Sequence, residues 1–114
     1  MNTTNKTQDP DTYFRVMDLI HKHPDISQRE LAKQAGISLG SVHYCLKALA
    51  LKGWLKAENF KKNPDKSVYL YLLTPEGIAQ KSKLAIDFLK RKRKEYIQLK
   101  YEIDILSEEL HDEA

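Results

Sequence analysis

The stretch from Ser27 to Gly53 constrains the fold most, because it holds the start and stop signals of two short helices. Ser27 followed by Glu30 is a capping box, in which the serine hydroxyl accepts a hydrogen bond from the third helical amide. Gly36 predicts the end of this helix, since glycine enters the left-handed conformation at little cost. Ser38 then caps a second helix, which Gly53 closes. The apolar residues of that helix share one face: Val42, Cys45, Leu46 and Leu49. Two short helices joined by a glycine turn are typical of a helix-turn-helix.

The other face of the second helix carries polar and small residues in its first two turns, the part that enters the DNA major groove in a helix-turn-helix. Hydroxyl, imidazole and phenol groups there can reach base edges, and the ammonium group of Lys47 can reach a phosphate. Gly40 has no side chain, which permits a close approach between the helix backbone and DNA. An ordinary solvated face is the alternative interpretation. The predicted DNA-contacting residues are Ser38, Leu39, Gly40, Ser41, His43, Tyr44 and Lys47.

Charge is distributed unevenly along the 114 residues, which suit one domain with an appended arm. The formal net charge is only +3. Residues 1–94 hold 18 Lys and Arg against 9 Asp and Glu, a net charge of +9, whereas residues 95–114 hold 1 against 7, a net charge of −6. A basic body with an acidic end is typical of a protein that binds a polyanion through one region and another partner through the other.

Composition excludes several classes of protein. The chain has one cysteine, Cys45, so an intramolecular disulfide is excluded, and its place on the apolar face predicts a buried, unreactive thiol. No apolar run approaches the roughly 18 residues of a membrane span, and the first residues lack the apolar core of a signal peptide. We therefore expect a cytoplasmic protein without membrane contact, whose polar residues 1–8 are disordered.

The segments that flank the motif extend the pattern. A first helix is predicted to begin after the cap Asp9 and to end before Pro24. Residues 54–60 and 67–73 are rich in aromatic and β-branched side chains and predict a β-hairpin, which after a helix-turn-helix is the wing of a winged helix. The turn of this hairpin carries three lysines, which either contact DNA or, as the alternative, merely keep the hairpin soluble. The turn lysines expected to lie along DNA phosphates are Lys61, Lys62 and Lys66.

A long helix is predicted from Thr74, its cap, to about Leu110. Apolar positions repeat along it at alternating intervals of three and four residues, as in a coiled coil, with an interruption at Lys92. So small a domain cannot cover so long a helix, and we expect a homodimer; a monomer with a solvated helix is the alternative. The predicted dimer interface comprises Leu89, Tyr96, Leu99, Ile103, Leu106 and Leu110.

The charges of this helix suggest an orientation for the pair. The basic block at residues 90–94 precedes an acidic region at residues 102–109. An antiparallel pair centred near Leu99 places each basic block beside the partner's acidic region, which favours an antiparallel coiled coil. A basic block that contacts DNA, or is simply solvated, is the competing interpretation.

Other kinds of site are not indicated. The four histidines have no cysteine or carboxylate cluster to complete a metal site, and we expect no cofactor. The chain has no glycine-rich phosphate loop, nucleophile elbow or HExxH motif, so we expect no enzyme. A protein–protein adaptor that recruits a partner through its coiled coil is the alternative function. The histidines are His21, His23, His43 and His111.

Two runs of sequence resemble a known family. PDISQRELAKQAGISLGSVHYCLKALALKGWLKAENF and YLYLLTPEGIAQKSKLAIDFLKRK are similar to winged-helix regulators of the MarR type, closest to the branch found beside bacterial exopolysaccharide clusters. The resemblance implies a homodimeric bacterial transcription factor with residues 38–52 as recognition helix and 54–73 as wing. The wing has Asp65–Lys66 where the family has an Asp-x-Arg element. The N-terminal dimerisation helix of the family, which supplies most of its ligand pocket, is missing from this sequence. We therefore expect no small-molecule effector.

The sequence thus predicts a mainly α (α+β) fold: a winged helix-turn-helix with a β-hairpin wing and a long C-terminal dimerisation helix. The predicted divisions are a disordered N-terminus at 1–8, a DNA-binding domain at 9–74 and a coiled-coil helix at 75–114. The predicted function is sequence-specific binding of double-stranded DNA by a homodimeric transcriptional regulator, with the protein–protein adaptor as the alternative. The family resemblance implies exopolysaccharide genes as its target.

Overall fold

The computed structural model describes residues 9–63 and 66–113, with the backbone alone at 60–63, 66–68 and 112–113. The predicted disorder of residues 1–8 falls outside this description, as do the side chains of Lys61, Lys62 and Lys66. The elements in chain order are α1 (Pro10–Lys22), α2 (Gln28–Ala35), α3 (Leu39–Leu51), β1 (Leu55–Asn63), β2 (Lys66–Leu73) and α4 (Pro75–Glu113).

The first three helices begin where their caps predict. The side chain of Asp9 accepts from the amide of Asp11, and the hydroxyl of Ser27 accepts from the amide of Glu30 at 3.0 Å. At the end of α2, Gly36 has φ +72°, the left-handed conformation expected of a glycine cap. Local sequence therefore sets the bounds of these helices.

The core lies where α1, α2 and α3 meet the base of the hairpin. Leu55 and Tyr71 bring the two strands into it. Tyr71 also ties the hairpin to the helices, because its amide donates to the carbonyl of Pro24 at 2.9 Å and its hydroxyl accepts from Gln28 Nε2 at 2.8 Å. The fully buried helical side chains are Val16, Met17, Ile20, Leu31, Val42, Cys45 and Leu49.

The hairpin strands pair antiparallel, from Leu55 opposite Leu73 at the base to Asn63 opposite Lys66 at the tip. They are longer than the sequence predicts, since the backbone of all three turn lysines belongs to the strands. The predicted first strand residue, Trp54, lies outside the strand. Its amide donates to the carbonyl of Leu49, so it links α3 to the hairpin instead.

The start of α4 is fixed against the α3–β1 junction. The hydroxyl of Thr74 accepts from the amide of Gly77 at 3.0 Å and donates to the carbonyl of Gly53 at 2.6 Å. The amide of Thr74 donates to the carbonyl of Trp54 at 3.0 Å. Gly77 lies so close to this junction that a Cβ there would be 2.1 Å from the carbonyl oxygen of Trp54. The angle at which α4 leaves the domain is therefore set by backbone contact.

Only the first half of α4 packs on the domain. The rings of Phe14 and Phe88 lie 4.7 Å apart, and Lys81 pairs with Asp18 at 3.2 Å. Burial raises the pKa of Asp18, but hydrogen bonds from Lys22 and Lys81 outweigh it and leave that pKa below its ordinary value. Residues 93–111 are all exposed. The second half of α4 thus extends beyond the domain, and the described residues span 68 × 30 × 29 Å.

Candidate nucleic-acid interface

The predicted DNA-facing residues of α3 lie together on its exposed side. Tyr44 is 47% exposed, Leu39 is 41% exposed, and His43 and Lys47 are also exposed. The opposite face is anchored in the core by Val42, Cys45, Leu46 and Leu49. The helix therefore offers one continuous, mostly polar surface whose orientation is fixed by the packing of its other face.

The two serines at the start of α3 bond to one another. The hydroxyl of Ser38 accepts from the amide of Ser41 at 3.0 Å and donates to the hydroxyl of Ser41 at 2.9 Å. Ser38 is thus the helix cap, and half-buried Ser41 keeps its own hydroxyl proton for donation. The sequence predicts base contacts from both residues but misses this pairing.

The apolar side of α3 holds the single cysteine. Cys45 is fully buried, and burial raises the pKa of its thiol to about 11. Burial also raises the pKa of the neighbouring Tyr13 hydroxyl. The burial predicted from the sequence is confirmed, and because a thiolate is the reactive form, the raised pKa disfavours reaction of Cys45 at neutral pH.

Gly40 stands on the open side of the first turn of α3. The nearest atom to a Cβ built there is Ser38 Oγ at 3.9 Å, so the fold does not require a glycine. We expect Gly40→Ala to raise the stability of the free protein by up to about 1 kcal/mol, since alanine is the better helix former. We expect the same variant to bind DNA less tightly, because a methyl group then stands between the backbone and the groove. Thermal melting and a DNA titration check the two effects, and unchanged DNA affinity would contradict the close approach.

On the wing, the structure adds an aromatic residue that the sequence prediction left out. Tyr69 is 57% exposed and stacks on Tyr71 with ring centroids 6.4 Å apart. Residues two apart on a strand share a face, and this periodicity could have singled it out. The predicted phosphate contacts of the wing lysines stay predictions.

The basic block on α4 is partly neutralised within the chain. Arg91 forms an ion pair with Asp11, which raises the pKa of the Arg91 guanidinium, and Lys92 Nζ lies 3.0 Å from Glu95 Oε1. The partner of Arg91 is 80 positions away, so no local pattern could have revealed it. Two of the five cations on which the antiparallel interpretation depends already have acidic partners.

The predicted dimer residues form an exposed apolar stripe on α4. Each of them is at least half exposed: Leu89, Tyr96, Leu99, Ile103, Leu106 and Leu110. Within the part of the chain that the structure describes, no three His, Cys, Asp or Glu side chains come close enough to hold a metal ion. No helix among the described residues is both long and apolar enough to cross a membrane.

Comparison with known proteins agrees with this geometry. Residues 11–56 match the family described as winged helix-turn-helix DNA-binding. The fold is a winged helix-turn-helix. The match spans α1, α2 and α3 and the first residues of β1, and the hairpin and α4 complete the predicted architecture. The predicted fold class is confirmed.

Several solved structures share this winged helix. Streptococcus pneumoniae FabT, solved in complex with DNA, has a TM-score of 0.55 and 24% identity, with 88% of this chain and 69% of FabT covered. A MarR/EmrR family transcriptional regulator from Acinetobacter sp. ADP1 has a TM-score of 0.59 and 20% identity, covering 90% and 73%. The smu.1704 protein of Streptococcus mutans UA159 has a TM-score of 0.62 and 16% identity, covering 74% and 82%. No curated protein sequence matches the chain significantly.

Proposed function

We propose that this protein is a sequence-specific, double-stranded-DNA-binding transcriptional regulator of the MarR type. The observation that carries the proposal is the exposed polar face of α3, held in place by a buried opposite face within a winged helix. In this fold the start of the second helix of the motif enters the major groove. Ser41, His43 and Tyr44 then reach base edges, and Lys47 with the wing lysines Lys61, Lys62 and Lys66 contacts phosphates.

The solved relatives support this assignment. FabT, which shares the fold over most of this chain, was solved bound to DNA. The excess of basic residues before position 95 supplies the attraction that a phosphate backbone requires. The adaptor alternative does not require a polar, groove-sized face on α3.

The first test is His43→Ala, titrated against the DNA upstream of the protein's own gene and against a scrambled duplex. We expect the variant to lose about 1–3 kcal/mol of affinity for the specific site, because one base contact disappears, and little for the scrambled duplex. Lys47→Ala is expected to weaken both complexes and to lower the salt dependence by about one unit, since one phosphate contact is lost.

His111→Ala is the matched control, because it removes an exposed imidazole at the far end of α4. It is expected to bind both duplexes like the parent protein. If Ser41→Ala and His43→Ala both leave specific and nonspecific affinity unchanged, α3 is not the recognition helix. Equal weak binding of the parent to both duplexes favours the adaptor function.

The same proposal includes a homodimer formed through α4. The exposed stripe from Leu89 to Leu110 supports it, because monomers rarely leave so long a row of large apolar side chains in water. The charge blocks of α4 predict an antiparallel pair, whereas the individual charges that flank the stripe favour a parallel one. We also propose, from the resemblance at residues 24–60 and 69–92, that exopolysaccharide genes are the target. Mapping the sites bound in cells tests this.

A further inference from the structure

The exposed stripe on α4 extends further toward the domain than the predicted interface. Ile78 is exposed near the start of the helix, and the same register runs from it to Leu110, a distance of about 48 Å at 1.5 Å per residue. We call these ten positions the α4 seam: Ile78, Ser82, Ala85, Leu89, Lys92, Tyr96, Leu99, Ile103, Leu106 and Leu110. Its spacing alternates strictly between four and three residues, as the a and d positions of a coiled coil do.

The domain leaves the α4 seam open. Side chains that contact α1 lie on one neighbouring face of α4: Lys81, Phe88 and Arg91. They occupy positions g, g and c of the same heptad, to one side of the a and d positions. Residues 93–111 are all exposed, so a second helix can pack on that half of the α4 seam without displacing α1.

Side chains at positions e and g decide the orientation of a helix pair, because they flank the a and d positions and face the partner. In the exposed second half of α4 the charged e positions are basic, Arg93 and Lys100, and the g positions are acidic, Glu95, Glu102 and Glu109. A parallel, in-register pair brings each g position against an e position of the partner, which sets Glu95 against Lys100. An antiparallel pair of these second halves brings e against e and g against g, which is like charge against like.

The basic block contributes little to this choice. Lys90, Arg91 and Lys94 occupy positions b, c and f, which point away from a partner helix, and Arg91 is paired with Asp11. Lys92 lies on the α4 seam but bends to Glu95 and lies 5.4 Å from the Phe88 ring centroid. Counting the block as a whole therefore overstates its attraction for a distant acidic region.

We infer that a second copy of this chain packs on the α4 seam in a parallel, in-register coiled coil, in which Glu95 pairs with the partner's Lys100 and Lys100 with the partner's Glu95. Ile103 at position a between Leu99 and Leu106 at position d is also the combination that parallel two-stranded coils prefer. The inference deepens the proposed regulator and rests on it, since this pairing places both DNA-binding domains at the same end of the coil.

Two single cysteines test the orientation without DNA, so that the outcome is independent of DNA binding. Leu89→Cys and Leu106→Cys alter exposed positions about 25 Å apart along the helix, and native Cys45 is fully buried. In the parallel pair each variant forms a disulfide with its own copy. In an antiparallel pair with a opposite d, the register nearest to the predicted centre at Leu99 sets position 89 opposite position 106, so only a mixture of the two variants crosslinks.

We expect efficient self-crosslinking of both variants and a light-scattering mass of two chains. Crosslinks confined to the mixture, or none in either variant, would overturn the parallel arrangement. A mass of one chain or of four would overturn the two-chain coil. The last case is a real alternative outcome, because Ile97, Tyr101 and Ile105 form another exposed stripe on a different face of α4.

A charge swap tests the pairing itself. In a parallel pair, Glu95→Lys and Lys100→Glu each place like charges opposite one another, whereas a mixed pair of the two variants restores both attractions. Effects within one chain, such as loss of the Lys92–Glu95 and Lys100–Asp104 pairs, are equal in mixed and unmixed pairs and cancel. We expect mixed pairs to exceed their statistical share by roughly tenfold at low salt. A statistical mixture would overturn the assigned contact.

Discussion

Gly77→Ala is expected to destabilise the protein by about 3 kcal/mol or more, although alanine favours a helix over glycine by about 1 kcal/mol. The added Cβ would lie 2.1 Å from the carbonyl oxygen of Trp54 and 2.9 Å from its carbonyl carbon. Both neighbours are backbone atoms, so no side-chain rotation can relieve the overlap. The overlap therefore outweighs the gain in helix propensity.

The junction that Gly77 contacts cannot easily move away. Two backbone hydrogen bonds, each 3.0 Å long, hold Trp54 in place. Its amide donates to the carbonyl of Leu49, and its carbonyl accepts from the amide of Thr74. Its indole also donates to Glu76 Oε2 at 3.2 Å. A shift of α4 that relieves the overlap would break these hydrogen bonds or separate the ring of Phe88 from that of Phe14.

Thermal melting at one fixed protein concentration measures the effect of Gly77→Ala. A loss of about 3 kcal/mol corresponds to a fall in Tm of roughly 10–20 °C for a domain of this size. Gly40→Ala, in the open part of α3, is the matched control and is expected to melt at or above the temperature of the parent. A Tm for Gly77→Ala within a degree or two of the parent would contradict the close contact between α4 and Trp54.

Sequence alone predicts the local features of this fold well. Capping residues such as Asp9, Ser27 and Ser38 and the glycine stop at Gly36 act within a few residues, so their patterns can be read from the chain. The apolar face of α3 is equally accessible, because its periodicity reports which residues are buried. The exposed polar face opposite, which carries the candidate DNA contacts, follows from the same pattern.

Features that depend on distant contacts could not be predicted. The need for Gly77 arises from the backbone of Trp54, and the partner of Arg91 is Asp11, 80 positions earlier in the chain. The sequence does not reveal that ion pair, so the basic block of α4 is treated as a cluster of free charges. The antiparallel prediction depends on that treatment. The heptad positions of Arg93, Glu95 and Lys100 can be assigned from the sequence. Their importance for the orientation of the helix pair becomes clear only in the structure, where α1 covers the neighbouring face of α4.

Ile103→Glu is expected to weaken self-association about 100-fold or more, because the change places a carboxylate from each chain in the centre of the apolar contact, where water cannot solvate it. Ile97→Glu is the matched control: it makes the same replacement six residues earlier, at position b. Ile103 is 52% exposed and Ile97 is 66% exposed, so neither change should disturb the fold of the single chain. Sedimentation over a range of protein concentrations measures both dissociation constants.

The two variants also link assembly to DNA binding. If two domains must bind together, Ile103→Glu lowers the affinity for a full operator toward that of a half-site, whereas the affinity for an isolated half-site is unchanged, since α3 is untouched. Ile97→Glu leaves both affinities at the parent values. Equal weakening of self-association by both variants would show that the stripe through Ile97 also carries an interface, and the assembly would then contain more than two helices. Weakening by Ile97→Glu alone would remove the α4 seam from the interface altogether.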